Sequence, residues 1–309
     1  MRSRDSASRR KRTAGFAFAV SGMVTYGLLP VFAHRFVRDM DPLLFGGVAT
    51  LIGGLPLAGL LRARGTHGDL IGRRFFKPLL GIGLLGVCST FCFFLGTKLT
   101  SGVNTGLLLQ LEPFYSVLVS AVFLGETIGL APALSTLVMA AGAAVIVFNK
   151  AEGLNSGDLL ILVTPLFQQL SHVVTKKIIG KVADTTVIPA ARLLYSGAIM
   201  TVVALIAQPS SAAQLASPRT WAVLIAFGLF FRALDCYLWY QAIERISLSR
   251  ASATIPLSVA VSFAGSVLIL HEPVRARHFL GLALILTGVV WLSAIHLREP
   301  EAAPSDEPF

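Results

Sequence analysis

The chain has 309 residues, 54% of them apolar and 14% charged, with a mean hydropathy of +0.73. A soluble domain of that size needs more polar surface to cover its core, so a large globular enzyme is excluded. The net charge of +10 is carried in the segments between apolar runs, where it sets topology, and nucleic-acid binding is excluded with it.

Apolar runs of about 20 residues recur along the sequence, each long enough to cross about 30 Å of hydrocarbon as a helix. The alternating ten-residue strands of a membrane barrel are absent. The pattern predicts an all-α polytopic membrane protein with spans over 14–33, 42–61, 78–97, 104–124, 131–148, 158–176, 187–207, 220–241, 250–270 and 279–297. The first run follows a basic segment, 1–13, but is too long for a signal-peptide core and more spans follow it. An acidic tail, 298–309, closes the chain.

Lys and Arg distribute unevenly across the two faces that ten spans define. One face collects Arg2, Arg4, Arg9, Arg10, Lys11, Arg12, Arg62, Arg64, Arg73, Arg74, Lys77, Lys176, Lys177, Lys181, Arg245, Arg250 and Arg298. The other keeps Arg35, Arg38, Lys98, Lys150, Arg219, Arg275 and Arg277. Seventeen against seven predicts a multi-pass protein of the cell (inner) membrane with both termini cytoplasmic.

Polar residues inside the spans are the candidates for chemistry, because an ionisable group at mid-helix costs about 2.5–3.5 kcal/mol on insertion scales. Span 1 carries Ser21, Thr25 and Tyr26, and span 2 has glycine pairs Gly46–Gly47 and Gly53–Gly54 that read as a close-packing seam. Span 4 carries Glu112, Tyr115, Ser116 and Ser120, while span 6 shows Pro165, Gln168, Gln169 and His172 along one face. Span 7 adds Arg192, Tyr195 and Ser196, and span 8 adds Arg232, Asp235 and Trp239. By helical rise Glu112 lies about 12 Å below the outer boundary, Arg232 about 18 Å and Asp235 about 22 Å. Arg232 and Asp235 share a face and either fix helix packing as an ion pair or line a cavity, with the guanidinium long enough to bridge to Glu112. Arg192 either faces the same depth or snorkels. Two amides facing lipid would be left unsatisfied, so Gln168 and Gln169 are expected inside. The candidate substrate-binding set is therefore Glu112, Arg232, Asp235, Gln168, Gln169, His172, Arg192, Tyr26, Tyr115 and Trp239.

The sequence also repeats. An offset of 146 places Leu111 on Leu257, Ser116 on Ser262, Ser120 on Ser266, Leu124 on Leu270, Glu126 on Glu272 and Gly142 on Gly288. Each half closes a helix with a Leu-x-Glu step, and both glutamates are expected to serve helix junctions. Five helices is an odd number, so the halves, 14–148 and 158–297, run oppositely through the bilayer as inverted repeats.

The stretch Leu109-Gln110-Leu111-Glu112-Pro113, with Glu126 thirteen residues beyond the proline, and its counterpart Pro256 leading to Leu270-His271-Glu272-Pro273 resemble the drug/metabolite transporter superfamily, specifically its EamA-like permeases. The second half departs from the pattern, spacing proline and glutamate by sixteen residues. The resemblance covers 14–297 and implies a ten-helix permease with a central cavity between its halves. It also implies export of amino acids, metabolites or drugs more often than uptake.

The expected function is thus a secondary transporter of a small molecule within the lipid bilayer, working by alternating access. Proton coupling through Glu112 or Asp235 and association as a homodimer stay open. A non-transporting sensor or scaffold is the alternative, and an intramembrane enzyme a remoter one, since no HExxH pair and no G-x-S-x-G elbow occur. There is no phosphate-binding loop for ATP, and no cofactor is expected. Cys88 and Cys92 make half a metal site with no second pair, so no metal is expected and both are read as packing residues.

Overall fold

A computed structural model of the protein describes residues 2–125, 127–148, 154–243, 245–246, 251 and 254–298. Ten helical spans emerge. Span 1 is Arg2–Val37, span 2 Pro42–Ala63, span 3 Arg73–Leu99, and span 4 the pair Gly102–Leu109 and Glu112–Leu124. Span 5 is Leu130–Val147, span 6 Ser156–Lys176 and span 7 Val187–Ala207. Span 8 runs Pro218–Phe227, Gly228–Leu234 and Asp235–Ile243; span 9 is Ile255–Leu270 and span 10 Ala276–Arg298. Among the described residues nine helices are long and apolar enough to cross a membrane, and the remaining one, Leu257–Leu270, is shorter.

Local chemistry sets the ends. Asp41 accepts from Leu44 N at 2.8 Å to start span 2, Ser101 from Asn104 N at 3.1 Å to start span 4, and Asn155 from Gly157 N at 2.7 Å to start span 6. Span 4 breaks at Gln110 and Leu111 because Pro113 has no N–H and its ring crowds the carbonyl four residues back. Span 3 starts at Arg73 rather than the expected 78, since Arg73, Arg74 and Lys77 extend the helix into the basic face.

Spans pack as an inverted repeat requires. Spans 2 and 7 pair with each other, as do 5 and 10, while 3 on 6 is mirrored by 8 on 1 and 4 on 6 by 9 on 1. The glycine seam of span 2 is used on two faces. A Cβ on Gly47 would lie 2.6 Å from Thr201 N, and one on Gly54 2.8 Å from Leu194 Cδ2, so these two let span 7 approach. A Cβ on Gly46 would meet the Phe94 ring at 2.4 Å and one on Gly53 the Arg232 Cβ at 2.3 Å. Spans 5 and 10 meet through Gly142, Gly281 and Gly288, each leaving no room for a side chain.

The Leu-x-Glu steps have a backbone cause. Gly125 (φ 68°) and His271 (φ 53°), matched by the repeat, both end their helices in the left-handed conformation, with N–H groups returned to the carbonyls of Ser120 and Ser266. In the second repeat this turn brings Glu272 to the start of span 4. Glu272 accepts from the N–H groups of Gly102 at 2.7 Å and Val103 at 2.8 Å, capping span 4 from across the repeat boundary. Glu126 and Lys150 lie outside the described residues.

Candidate functional site

A cavity of about 470 Å³ lies between the halves, lined by spans 1, 2, 3, 4, 6, 7, 8 and 10. It reaches from Thr50 and Leu29 at mid-bundle to Thr175 and Ile188, within two residues of the ends of spans 6 and 7 on the side that carries both termini. Nine of the ten residues singled out in the sequence line it: Tyr26, Glu112, Gln168, Gln169, His172, Arg192, Arg232, Asp235 and Trp239. Tyr115 does not. Its ring packs edge-on against Phe114 at 5.0 Å and joins the apolar core, because Glu112, Pro113, Ser116 and Val117 turn the other side of the same helix segment to the cavity. Arg192 faces the cavity rather than snorkelling.

Glu112 is held in place at the start of its helix segment. It accepts a hydrogen bond from the Tyr26 hydroxyl at 3.1 Å and from Gln169 Nε2 at 3.0 Å. The Gln169 carbonyl in turn lies 3.3 Å from His172 Nδ1, so spans 1, 4 and 6 share one polar chain. The break in span 4 has its own partner: Ser258 donates to Gln110 Oε1 at 3.1 Å across the repeats, at the position the offset of 146 pairs with Glu112.

The expected Arg232 bridge is not formed. Arg232 makes no ion pair with Glu112 or Asp235, its Nε has no hydrogen-bond partner, and its guanidinium carbon sits 5.3 Å from the centroid of the Phe94 ring. The reason is local. Gly228–Leu234 is wound as a π-helix, whose wider turn parts Arg232 from the face of Asp235 that ordinary α spacing predicts. Among the described residues Arg192, Arg232 and Asp235 have no ion-pair partner within 4 Å. The cavity thus presents two guanidiniums and one carboxylate ready for a ligand, and one carboxylate already hydrogen-bonded.

On the side away from the termini the bundle is sealed. Phe32, Phe36, Phe45, Phe94, Phe227 and Phe231, from spans 1, 2, 3 and 8, stack with ring centroids between 4.9 and 6.4 Å apart, and Phe45 and Phe94 are fully buried. Beside them His34 donates from Nδ1 to the Thr97 carbonyl at 2.8 Å, and its Nε2 is 3.2 Å from Glu272. Asp158, 3% exposed, accepts from Thr100 and Asn104 and ties span 6 to spans 3 and 4. Sequence reasoning missed this sealed end. Asp158 and His34 sit at span ends, where charge reads as interfacial, and phenylalanines read as lipid-facing. Thr50, Ser89, Thr90, Ser171, Thr175 and Ser293 also line the cavity unannounced, since single hydroxyls at helical spacing serve helix contacts just as often.

An all-helical ten-span bundle with a charged cavity at mid-depth defines a polytopic membrane protein of the transporter type. The sequence profile of the EamA-like transporter family matches residues 13–148 and again 155–294, and the chain belongs to that family. It is 22% identical to an uncharacterized transporter of Bacillus subtilis (strain 168), YetK, over 96% of this chain and 92% of the relative. It is 26% identical to a probable terminal-alkyne amino-acid exporter of Streptantibioticus cattleyicolor, over 62% of this chain and 63% of that one. A shorter match, 34% identical over 28% of this chain and 72% of the other, is to a probable 4-amino-4-deoxy-L-arabinose-phosphoundecaprenol flippase subunit, ArnE, of Pseudomonas aeruginosa. A solved crystal structure superposes with a TM-score of 0.64 at 20% identity, covering 94% of this chain and 99% of the other, which is likeness of fold.

Proposed function

We propose that this membrane transporter is a secondary exporter that moves a small zwitterionic metabolite, of amino-acid size, by alternating access of the central cavity. The observation that carries the reading is a cavity with Arg192, Arg232 and Asp235 unpaired among the described residues, which runs toward one face and is sealed by phenylalanines toward the other. Glu112, Asp235, Arg192 and Arg232 sum to zero when all are ionised. A ligand with one anionic and one cationic group would therefore satisfy both signs without leaving net charge in a low-dielectric interior. The family, and a relative named as an amino-acid exporter, support the same class. The two repeats, 14–148 and 158–297, would rock about the site, with the carboxylates of Glu112 and Asp235 available to carry a proton.

The test is counterflow in proteoliposomes with a panel of amino acids and amphipathic metabolites, with and without an imposed pH gradient. Saturable, gradient-sensitive flux of a zwitterion is expected, whereas binding without flux would make the chain a sensor or scaffold. Orientation in the inner membrane follows from the excess of Lys and Arg on the terminal face. In intact cells an impermeant thiol reagent should label a cysteine at position 213 and spare one at position 68, and the reverse pattern would invert the topology.

A further inference from the structure

We infer that Arg232 couples an anionic group on the substrate to the phenylalanine seal, through its contact with the Phe94 ring. The inference rests on the transporter reading but concerns a separate step, the release of the closed end.

Span 2 provides a common floor for both side chains. Gly46 lies beneath Phe94 and Gly53 beneath Arg232, each with no room for a Cβ, so ring and guanidinium stem are seated seven residues apart along one helix face. Phe94 belongs to the seal, with its centroid 5.4 Å from Phe45 and 6.0 Å from Phe227, while Arg232 lines the cavity. The 5.3 Å contact between them joins the two regions. Among the described residues no carboxylate pairs with Arg232 within 4 Å and its Nε is unpartnered, and it is carried on the π-wound Gly228–Leu234 segment. Wide turns of that kind recur at functional sites.

The energetic order of the two contacts gives the direction of the switch. A charge-assisted, bidentate hydrogen bond to a carboxylate is stronger than the attraction of a guanidinium to an aromatic face. An anionic group entering the cavity therefore draws Arg232 off the Phe94 ring. The ring loses its cavity-side neighbour, and the packing that closes the far end loses a wall. A neutral solute of the same shape offers Arg232 nothing better than the ring, so it has no differential interaction with which to shift the equilibrium. With no ligand, Arg232 stays on Phe94 and the end stays shut, which keeps ions and water from leaking through.

Benzoate and benzamide separate these cases, being alike in shape and differing in charge. The readout is the rate at which an impermeant thiol reagent, added from the face opposite the termini, modifies Thr50→Cys in a chain carrying Cys88→Ala, Cys92→Ala and Cys236→Ala. Benzoate should raise that rate about five-fold or more and benzamide should leave it unchanged, a ratio typical of coupled sites. Arg232→Gln should raise the basal rate and erase the benzoate response. Phe94→Leu, which keeps the charge and loses the ring, should do the same, and it provides the answer if Arg232→Gln fails to insert. Equal responses to the two probes, no response in the parent, or a preserved benzoate response in both variants would overturn the inference. Saturable flux retained alongside any of those results would leave the transporter reading standing.

Discussion

With a pH gradient imposed across proteoliposomes, Asp235→Asn should run uphill transport at no more than about a tenth of the parent rate, equivalent to about 1.4 kcal/mol or more added to the barrier. Exchange of substrate at equal pH on both sides should survive. Asp235 faces the cavity with no ion-pair partner among the described residues, so its amide removes the carboxylate without unpairing a neighbour. Glu112→Gln should be milder and act on substrate affinity. Glu112 already accepts from Tyr26 and Gln169, and an amide oxygen retains at least one of those contacts. A double amide variant that still transports uphill at the parent rate would exclude carboxylate coupling through this cavity and leave facilitated diffusion.

The second large effect is expected at Glu272→Ala. This carboxylate, 8% exposed, accepts from two backbone N–H groups at the start of span 4 and touches His34 of span 1, so it joins the second repeat to the first at the sealed end. Truncation orphans both donors in a largely buried site, at about 1–3 kcal/mol for each. Thermal unfolding in detergent should shift down accordingly, and the far end should admit thiol reagents even without ligand. Glu272→Gln should recover part of both, because one amide oxygen still accepts. A Glu272→Ala protein with parent stability and a sealed far end would reduce the capping contact to an incidental one.

Fold was largely legible in the sequence because length and hydropathy fix a transmembrane helix, and because an offset of 146 exposes the repeat. The Leu-x-Glu steps were visible as a motif, and in both the residue before the glutamate, Gly125 or His271, is left-handed; in the second repeat Glu272 then reaches across the repeat boundary to span 4. The cavity set was legible through the cost of burying charge, which singles out Glu112, Arg192, Arg232 and Asp235. One local winding was not. The π stretch at Gly228–Leu234 turns Arg232 from Asp235 to Phe94. Helical-wheel spacing assumes uniform 3.6-residue turns, so it misplaces side chains wherever the turn changes. The phenylalanine seal escaped for a different reason. Period and hydropathy cannot separate a ring that faces lipid from one that packs among other rings, and only the three-dimensional packing of spans 1, 2, 3 and 8 distinguishes them.

The most direct measurement uses the native Cys236, which lines the cavity beside Asp235. In a Cys88→Ala, Cys92→Ala chain it remains the single thiol. Modification by a bulky maleimide should abolish counterflow of the transported zwitterion, and saturating that zwitterion beforehand should slow the modification. Full counterflow with Cys236 stoichiometrically modified would mean that substrate does not pass through this cavity.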